Sequence, residues 1–346
     1  MMQLRQSFLD GERHPDCDRC WREEDAGRTS KRQHTLARLQ HVIDDREWSI
    51  EPGPLQFLDL KLGNICNLKC RICGSWSSST FAAEEIALQE DRKNNFHYAM
   101  MRMGRWPREQ LEFWQDLRGY FQDLRYLEFT GGEPFMISEH FDLLRELVTS
   151  GDSQHIEIHY NTNGTIWPQD AEQLWQHFQH VEIAFSIDDV GARFEYQRSN
   201  ADWNQVEQNI QRFRDMRDCN SNITLQVCST VSVFNILHVA ELDAWIHQQA
   251  FDFVYWNMLH DPAELCLASL PHWAKHYVAN NLRWMQLTDA TRQEMGRVVE
   301  FMMQGRDGDG QQLKQRIMEL DRRRGENLAE IDPITAYLVK YEAAPV

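Results

Sequence analysis

The chain has 346 residues, 42% of them hydrophobic, with 53 acidic against 36 basic side chains and a formal charge of −17. That length supports one large domain with appendages or two ordinary ones, and the apolar content with twelve tryptophans predicts a packed core rather than disorder. The charge argues against a broad nucleic-acid surface, which needs a local excess of Lys and Arg, and no apolar run reaches the roughly 18 residues of a membrane span.

The first fifty residues carry "HPDCDRCWREEDAGRTSKRQ", with Cys17 and Cys20, and then an amphipathic stretch, "HTLARLQHVIDD". From Pro54 short apolar runs alternate with longer amphipathic ones, the signature of βα units. Strands are predicted over Leu55 to Leu62, Leu124 to Thr130, His155 to Asn161, Val181 to Ile187, Ile223 to Val233 and Phe251 to Leu259. Helical spacing separates them in "EHFDLLRELV", "QDAEQLWQHF", "ADWNQVEQNIQRFRDM" and "VAELDAWIHQQ". Parallel strands joined by helices give a doubly wound sheet or a barrel, and in both the chemistry belongs at the carboxyl ends of the strands. The first connection is long and includes "YAMMRMGRW", a Met and aromatic stripe read as core packing in preference to a pocket lining. After Cys266 the segments are mostly helical, broken at "GRDGDGQQ". The expected organisation is an N-terminal segment over 1–50, a βα core over 51–262 and a helical region over 263–346.

Four unusual segments fall on one predicted rim: "NICNLKCRICGSWSSS" after the first strand, "TGGEP" after the second, "NTNG" after the third and "SIDD" at the fourth. The first places Cys66, Cys70 and Cys73 in eight residues. "MMQLRQSFLD" lacks the apolar core of a secretory signal, so the protein is expected to be cytoplasmic, where thiols stay reduced and a tight group of them points to metal or redox chemistry. Three thiolates leave one iron of a four-iron, four-sulfur cluster open to a chelating ligand. The loop alone also allows a zinc site completed by a distant Cys or His, or a cubane with an unrecognised fourth ligand.

With "CNLKCRIC", "TGGEP", "NTNG", "FSIDD", "FEYQRS" and "VSVFN", the sequence from about Leu55 to Leu259 resembles the radical S-adenosylmethionine (SAM) enzymes, and within them the twitch-domain relatives of the peptide-modifying SPASM enzymes. The resemblance implies an α/β fold: a partial (β/α)6 TIM-type barrel with an N-terminal CxxC segment and a C-terminal helical extension. It implies a 4Fe–4S cluster on Cys66, Cys70 and Cys73 and S-adenosylmethionine as co-substrate, cleaved reductively to a 5′-deoxyadenosyl radical that takes a hydrogen atom from substrate. Gly131, Gly132, Glu133 and Pro134 would meet the methionyl amino group, the glycines admitting the ligand to the backbone. Asn163, Ser186 and Asp188 would face its ribose and methionyl groups, Arg198 its carboxylate, and Val231 and Asn235 its adenine. Ile72 stands where many relatives have an aromatic residue, which puts adenine stacking in doubt.

Cys17 and Cys20 resemble the downstream half of an auxiliary-cluster segment, yet no cysteine precedes them. A second metal site there would need His14, Cys219, Cys228 or Cys266; a zinc knuckle or a redox dithiol are alternatives. Cys219, Cys228 and Cys266 are most simply buried small hydrophobes, and the fourteen histidines are assigned no role. The expected substrate is a ribosomally made peptide, with a sugar or cofactor precursor as the alternative, and the expected partner a reducing electron donor such as flavodoxin or ferredoxin. The contrasting reading is a non-catalytic iron-sulfur or zinc binding module.

Overall fold

The computed structural model describes residues 2–340 apart from 26, 28, 44–48, 52 and 309. The chain divides into two compact units, Met1–Gln56 and Phe57–Val346.

In the first unit His14 accepts from the Asp16 N–H and opens a single 3-10 turn that leads into α1 (Asp18–Asp25). A second helix, α2 (Lys31–Arg38), starts at a reciprocal cap: Ser30 Oγ accepts from the Gln33 N–H, and Gln33 Oε1 accepts from the Ser30 N–H. The Arg32 guanidinium lies 4.5 Å from the centre of the Trp21 ring, a cation–π contact that joins the two helices. Asp44 and Asp45 of the predicted amphipathic stretch lie outside the described residues.

The second unit is built on six parallel strands: β1 (Phe57–Lys61), β2 (Tyr126–Thr130), β3 (Glu157–Thr162), β4 (His180–Phe185), β5 (Ile223–Val231) and β6 (Phe253–Met258). Each falls within two residues of its predicted bounds. Their spatial order equals their chain order, which is that of a partial (β/α)6 barrel; a doubly wound sheet would reverse direction midway. The crossovers carry α3 (Ser79–Ala87), α4 (Glu139–Ser150), α5 (Ala171–Trp175), α6 (Gly191–Gln197), α7 (Trp203–Cys219) and α8 (Val239–Gln248).

Alternation along the strands sorts the side chains onto two faces. Phe129, Tyr160 and Phe185 point to the helices, where they meet His140 of α4, Trp175 of α5 and Phe213 of α7. The other, inner face has a polar row at one level: Asp59 is in register with Glu128, Glu128 with His159, His159 with Glu182 and Glu182 with Thr224.

Beyond β6 come α9 (His272–Trp284), α10 (Asp289–Gln304) and α11 (Gln311–Arg324). Their apolar faces, among them Val278, Met295, Met302 and Ile317, share one buried cluster with Val231, Val233 and Phe234 at the end of β5. The C-terminal helices therefore complete the core of the barrel unit. No helix among the described residues is long and apolar enough to cross a membrane.

Two expectations fail locally. The Met and aromatic stripe forms a helix, Phe96–Met103, with no fully buried residue, and Met103 and Trp106 are more than half exposed; it packs beside α3, which covers Tyr98, Met100 and Met101 only in part. Cys219, at the last turn of α7, is also exposed; Cys228 is half-buried and Cys266 buried.

Candidate active site

The loop after β1 is tied down by its own polar residues before any ligand is considered. Buried Asn64 donates from Nδ2 to the carbonyls of Ser75 and Met100, and its own carbonyl accepts from the Ser79 N–H at 2.6 Å. Ser78, also buried, caps α3 by accepting from the Phe81 N–H and donates its hydroxyl to the Leu68 carbonyl at 2.5 Å. Thr80 donates to the Cys66 carbonyl. Between these anchors Cys66, Leu68 and Cys70 form a small buried cluster against which Cys73 packs. Burial pushes the Cys66 and Cys70 thiols up to about 12, with the neighbouring sulfurs adding to the effect, and burial alone raises Cys73. In the metal-free protein these are neutral thiols, and a metal must displace their protons to bind.

The loop after β2 lies on the cysteine loop. The Glu133 N–H donates to the Ile65 carbonyl at 2.6 Å. Gly131 and Gly132 have φ of +81° and +57°, and a Cβ at Gly132 would sit 2.1 Å from the Ile65 carbonyl oxygen. The glycine at 132 is thus required by contact between two loops of the protein itself, a cause the sequence does not disclose. Glu133 is fully buried and accepts from the Asn163 and Phe135 N–H groups and the Thr162 hydroxyl. Burial outweighs these donors and lifts its carboxyl to about 7. Pro134 opens a short 3-10 turn and is buried.

Asn163 joins this pair of loops to β3: its Nδ2 lies 3.0 Å from Asn67 Oδ1 and 3.8 Å from Cys66 Sγ. From β4, the Ser186 N–H donates to the Thr162 carbonyl. Buried Asp188 accepts from the Thr230 N–H and pairs with Arg198 at 2.7 Å. A second Arg198 nitrogen lies 3.8 Å from Cys70 Sγ, and its Nε is buried without a hydrogen-bond partner. Asn235 brackets the ends of β4 and β5, donating to the carbonyls of Asp188 and Thr230. Val231 is buried in the larger core cluster, and Ile72 of the cysteine loop packs against that same cluster.

Every residue the sequence singles out at the rim therefore lies at the carboxyl ends of β1 to β5. The thiols and their surroundings suit an iron-sulfur cluster: the donors are soft, buried and grouped on one short loop, with an amide and a guanidinium at 3.8 Å from two of the sulfurs. Among the described residues no three His, Cys, Asp or Glu side chains converge as ligands of a single ion would. Ligands of a multi-iron cluster bind different irons and have no such need. Cys17 and Cys20 are half-buried in the first unit, and burial with the nearby Cys20 sulfur raises the Cys17 thiol; no third ligand joins them among the described residues.

A parallel six-unit α/β barrel with a three-cysteine loop on its catalytic rim defines the class. Residues 60–226 match the model of the Radical SAM superfamily. No curated protein matches the chain. Among solved structures, histidine-tagged anSMEcpe with bound AdoMet is 20% identical, with a TM-score of 0.47 over 67% of this chain and 58% of that one. SuiB of Streptococcus suis bound to precursor peptide SuiA is 11% identical, with a TM-score of 0.41 over 74% and 60%. TYW1 with a lysine-pyruvate adduct is 10% identical, with a TM-score of 0.38 over 71% and 80%. The chain thus spans less than two thirds of the first two structures it resembles.

Some residues around the site were not anticipated. Arg71, inside the cysteine motif, is fully buried and reaches Asp321 and Glu326. Lys69 and Arg324 both pair with Glu84 of α3. With Asn67 and Lys69 in the same motif, nothing in the sequence set Arg71 apart, and its acid partners, some 250 positions away, gave no local signal either.

Proposed function

We propose that the protein is a radical SAM enzyme in which Cys66, Cys70 and Cys73 hold a 4Fe–4S cluster and S-adenosylmethionine binds beside it. When bound, the cluster supplies one electron for reductive cleavage of S-adenosylmethionine, from which abstraction of a substrate hydrogen atom follows. The observation that carries this reading is the stacking of the Gly131–Gly132–Glu133 loop on a loop whose thiols Cys66 and Cys70 are buried and Cys73 partly so, within the residues that match the superfamily. The chain's own residues have three tasks. The anchors at Asn64, Ser78 and Thr80 fix the thiols and keep water from them. The backbone of Gly131 to Pro134 offers polar groups to the methionyl amine. Asp188 and Arg198 with Asn163 and Ser186 present charge and hydrogen-bond groups on the same rim, while Val231 and Asn235 close its far side.

The proposed substrate is a carbon of a ribosomally made peptide, supported by the likeness of the motif set to twitch and SPASM enzymes. Protein reconstituted with iron and sulfide without oxygen, then given dithionite and S-adenosylmethionine, is expected to form 5′-deoxyadenosine. Replacing Cys66, Cys70 and Cys73 together by Ala should abolish that product and the absorbance at about 400 nm. A brown protein that forms no 5′-deoxyadenosine would refute the enzymatic reading. Turnover of a sugar or cofactor precursor, with candidate peptides unchanged in mass, would refute the peptide assignment alone.

A further inference from the structure

Between Cys70 and Cys73 the side chain of Arg71 leaves the cysteine loop in the direction of the C-terminal helices. It is fully buried, and Asp321 is 2% exposed. Its Nε donates to the Tyr196 carbonyl at 2.8 Å, its guanidinium carbon lies 3.6 Å from the centre of the Tyr196 ring, and one terminal nitrogen meets Asp321 at 2.5 Å and Glu326 as well. Asp321, near the end of α11, is itself fixed: it accepts from the Tyr196 hydroxyl at 2.9 Å and from the Leu328 N–H at 2.9 Å. The cysteine loop also lies on the end of α6 and the residues that follow it, with the Arg71 N–H donating to the Gln197 carbonyl and the Lys69 N–H to the Ser199 carbonyl. That segment is bound to the same distant residues, since the Ser199 hydroxyl donates to Glu326 and receives from Arg324. Arg198, in its middle, is the residue whose guanidinium nitrogen lies at 3.8 Å from Cys70 Sγ. Three stretches, Lys69–Arg71, Tyr196–Ser199 and Asp321–Glu326, thus share one set of charges.

We propose that Arg71 is a positioning residue: clamped by Asp321 and Glu326, it fixes the cysteine loop in the form that retains iron and sulfide. The inference rests on the cluster assignment above. A buried guanidinium tolerates this site only while its carboxylates are present, so removal of either acid loosens Arg71, the residue next to Cys70 in the loop, whereas Arg198 opposite it keeps its own partner, Asp188. Lys cannot replace Arg here, because a single ammonium cannot stack on Tyr196 and serve the Tyr196 carbonyl and two carboxylates in one plane.

The test uses full-length protein reconstituted without oxygen, exposed to a ferrous chelator and followed by absorbance at about 400 nm. Asp321→Asn and Glu326→Gln should lose the cluster roughly tenfold faster than wild type, with thermal unfolding of the metal-free proteins compared alongside. Asp321→Glu should restore slow loss and Arg71→Lys should not. Wild-type loss rates in both Asp321→Asn and Glu326→Gln would overturn the proposal; should Asp321→Asn fail to fold, Glu326→Gln, at a partly exposed acid, decides it. A wild-type protein that takes up no iron and sulfide would instead remove the cluster reading on which the proposal stands.

Discussion

Gly132 concentrates two demands on one position, a left-handed backbone at φ +57° and the Ile65 backbone occupying the place of a side chain. The backbone conformation alone is one that Ala adopts at a cost, as Ala250 does at φ +53°; the Ile65 contact is what leaves no room for a side chain. Gly132→Ala is expected to lower unfolding free energy by at least about 2 kcal/mol, measured by denaturant titration of the metal-free protein; a loss below about 0.5 kcal/mol would contradict the loop contact. The residue was legible from "TGGEP", but its reason was not, because the motif reports the need for glycine and not which atom requires it. His140 gives a pH signature. It is fully buried among Phe129, Phe141 and Tyr160, bonds through Nδ1 to the Ile137 carbonyl, has no partner at Nε2, and burial lowers its pKa to about 3. The unfolded chain takes a proton near 6.5, which the folded one refuses. Its contribution is thus complete above pH 6.5 and is lost as pH falls from there toward 3. Between pH 7.5 and 5.0 that amounts to about 2 kcal/mol, and the unfolding free energy of His140→Leu should lack that part of the pH dependence. An identical pH dependence in the variant would show that His140 titrates freely.

At the level of elements, α3 begins where the cysteine loop ends, and one hydroxyl serves both. Ser78 accepts from the Phe81 N–H as a helix cap and donates to Leu68 inside the loop. Ser78→Ala should cost about 1–2 kcal/mol from the cap alone and leave the buried Leu68 carbonyl short of a donor. Hydrogen exchange should then quicken in residues 66–73 as well as in the first turn of α3; a change confined to the helix would separate the two roles. The strands themselves were readable because each is a short apolar run set between longer amphipathic stretches, as expected of strands such as β2 and β4 that are buried along nearly their whole length. The Phe96–Met103 helix was misjudged because composition reports that a segment is apolar, whereas only tertiary packing decides how much of it is covered.

For the whole molecule, the order of the strands follows from parallel crossovers, and the sequence narrowed it to two topologies of which the structure has the barrel. The rim of the site was legible because each of its parts directly follows a strand. The row Asp59, Glu128, His159, Glu182 and Thr224 on the inner face was overlooked, although each member interrupts an apolar strand; only the register shows that they share one level. Glu128, His159 and Glu182 are buried there, and His159 Nδ1 lies 2.7 Å from Glu182. The partners that reach the cysteine motif from far along the chain were beyond any local pattern. Two of them, Asp321 and Glu326, limit how far the chain can be trimmed. Ending the polypeptide after β6 would delete Asp321 and Glu326 together with the helices around them, stripping Arg71 of both acid partners and the apolar cluster at Val231, Val233 and Phe234 of its cover. The smallest stably folded version of the barrel unit is therefore expected to extend past its strands to the turn after α11.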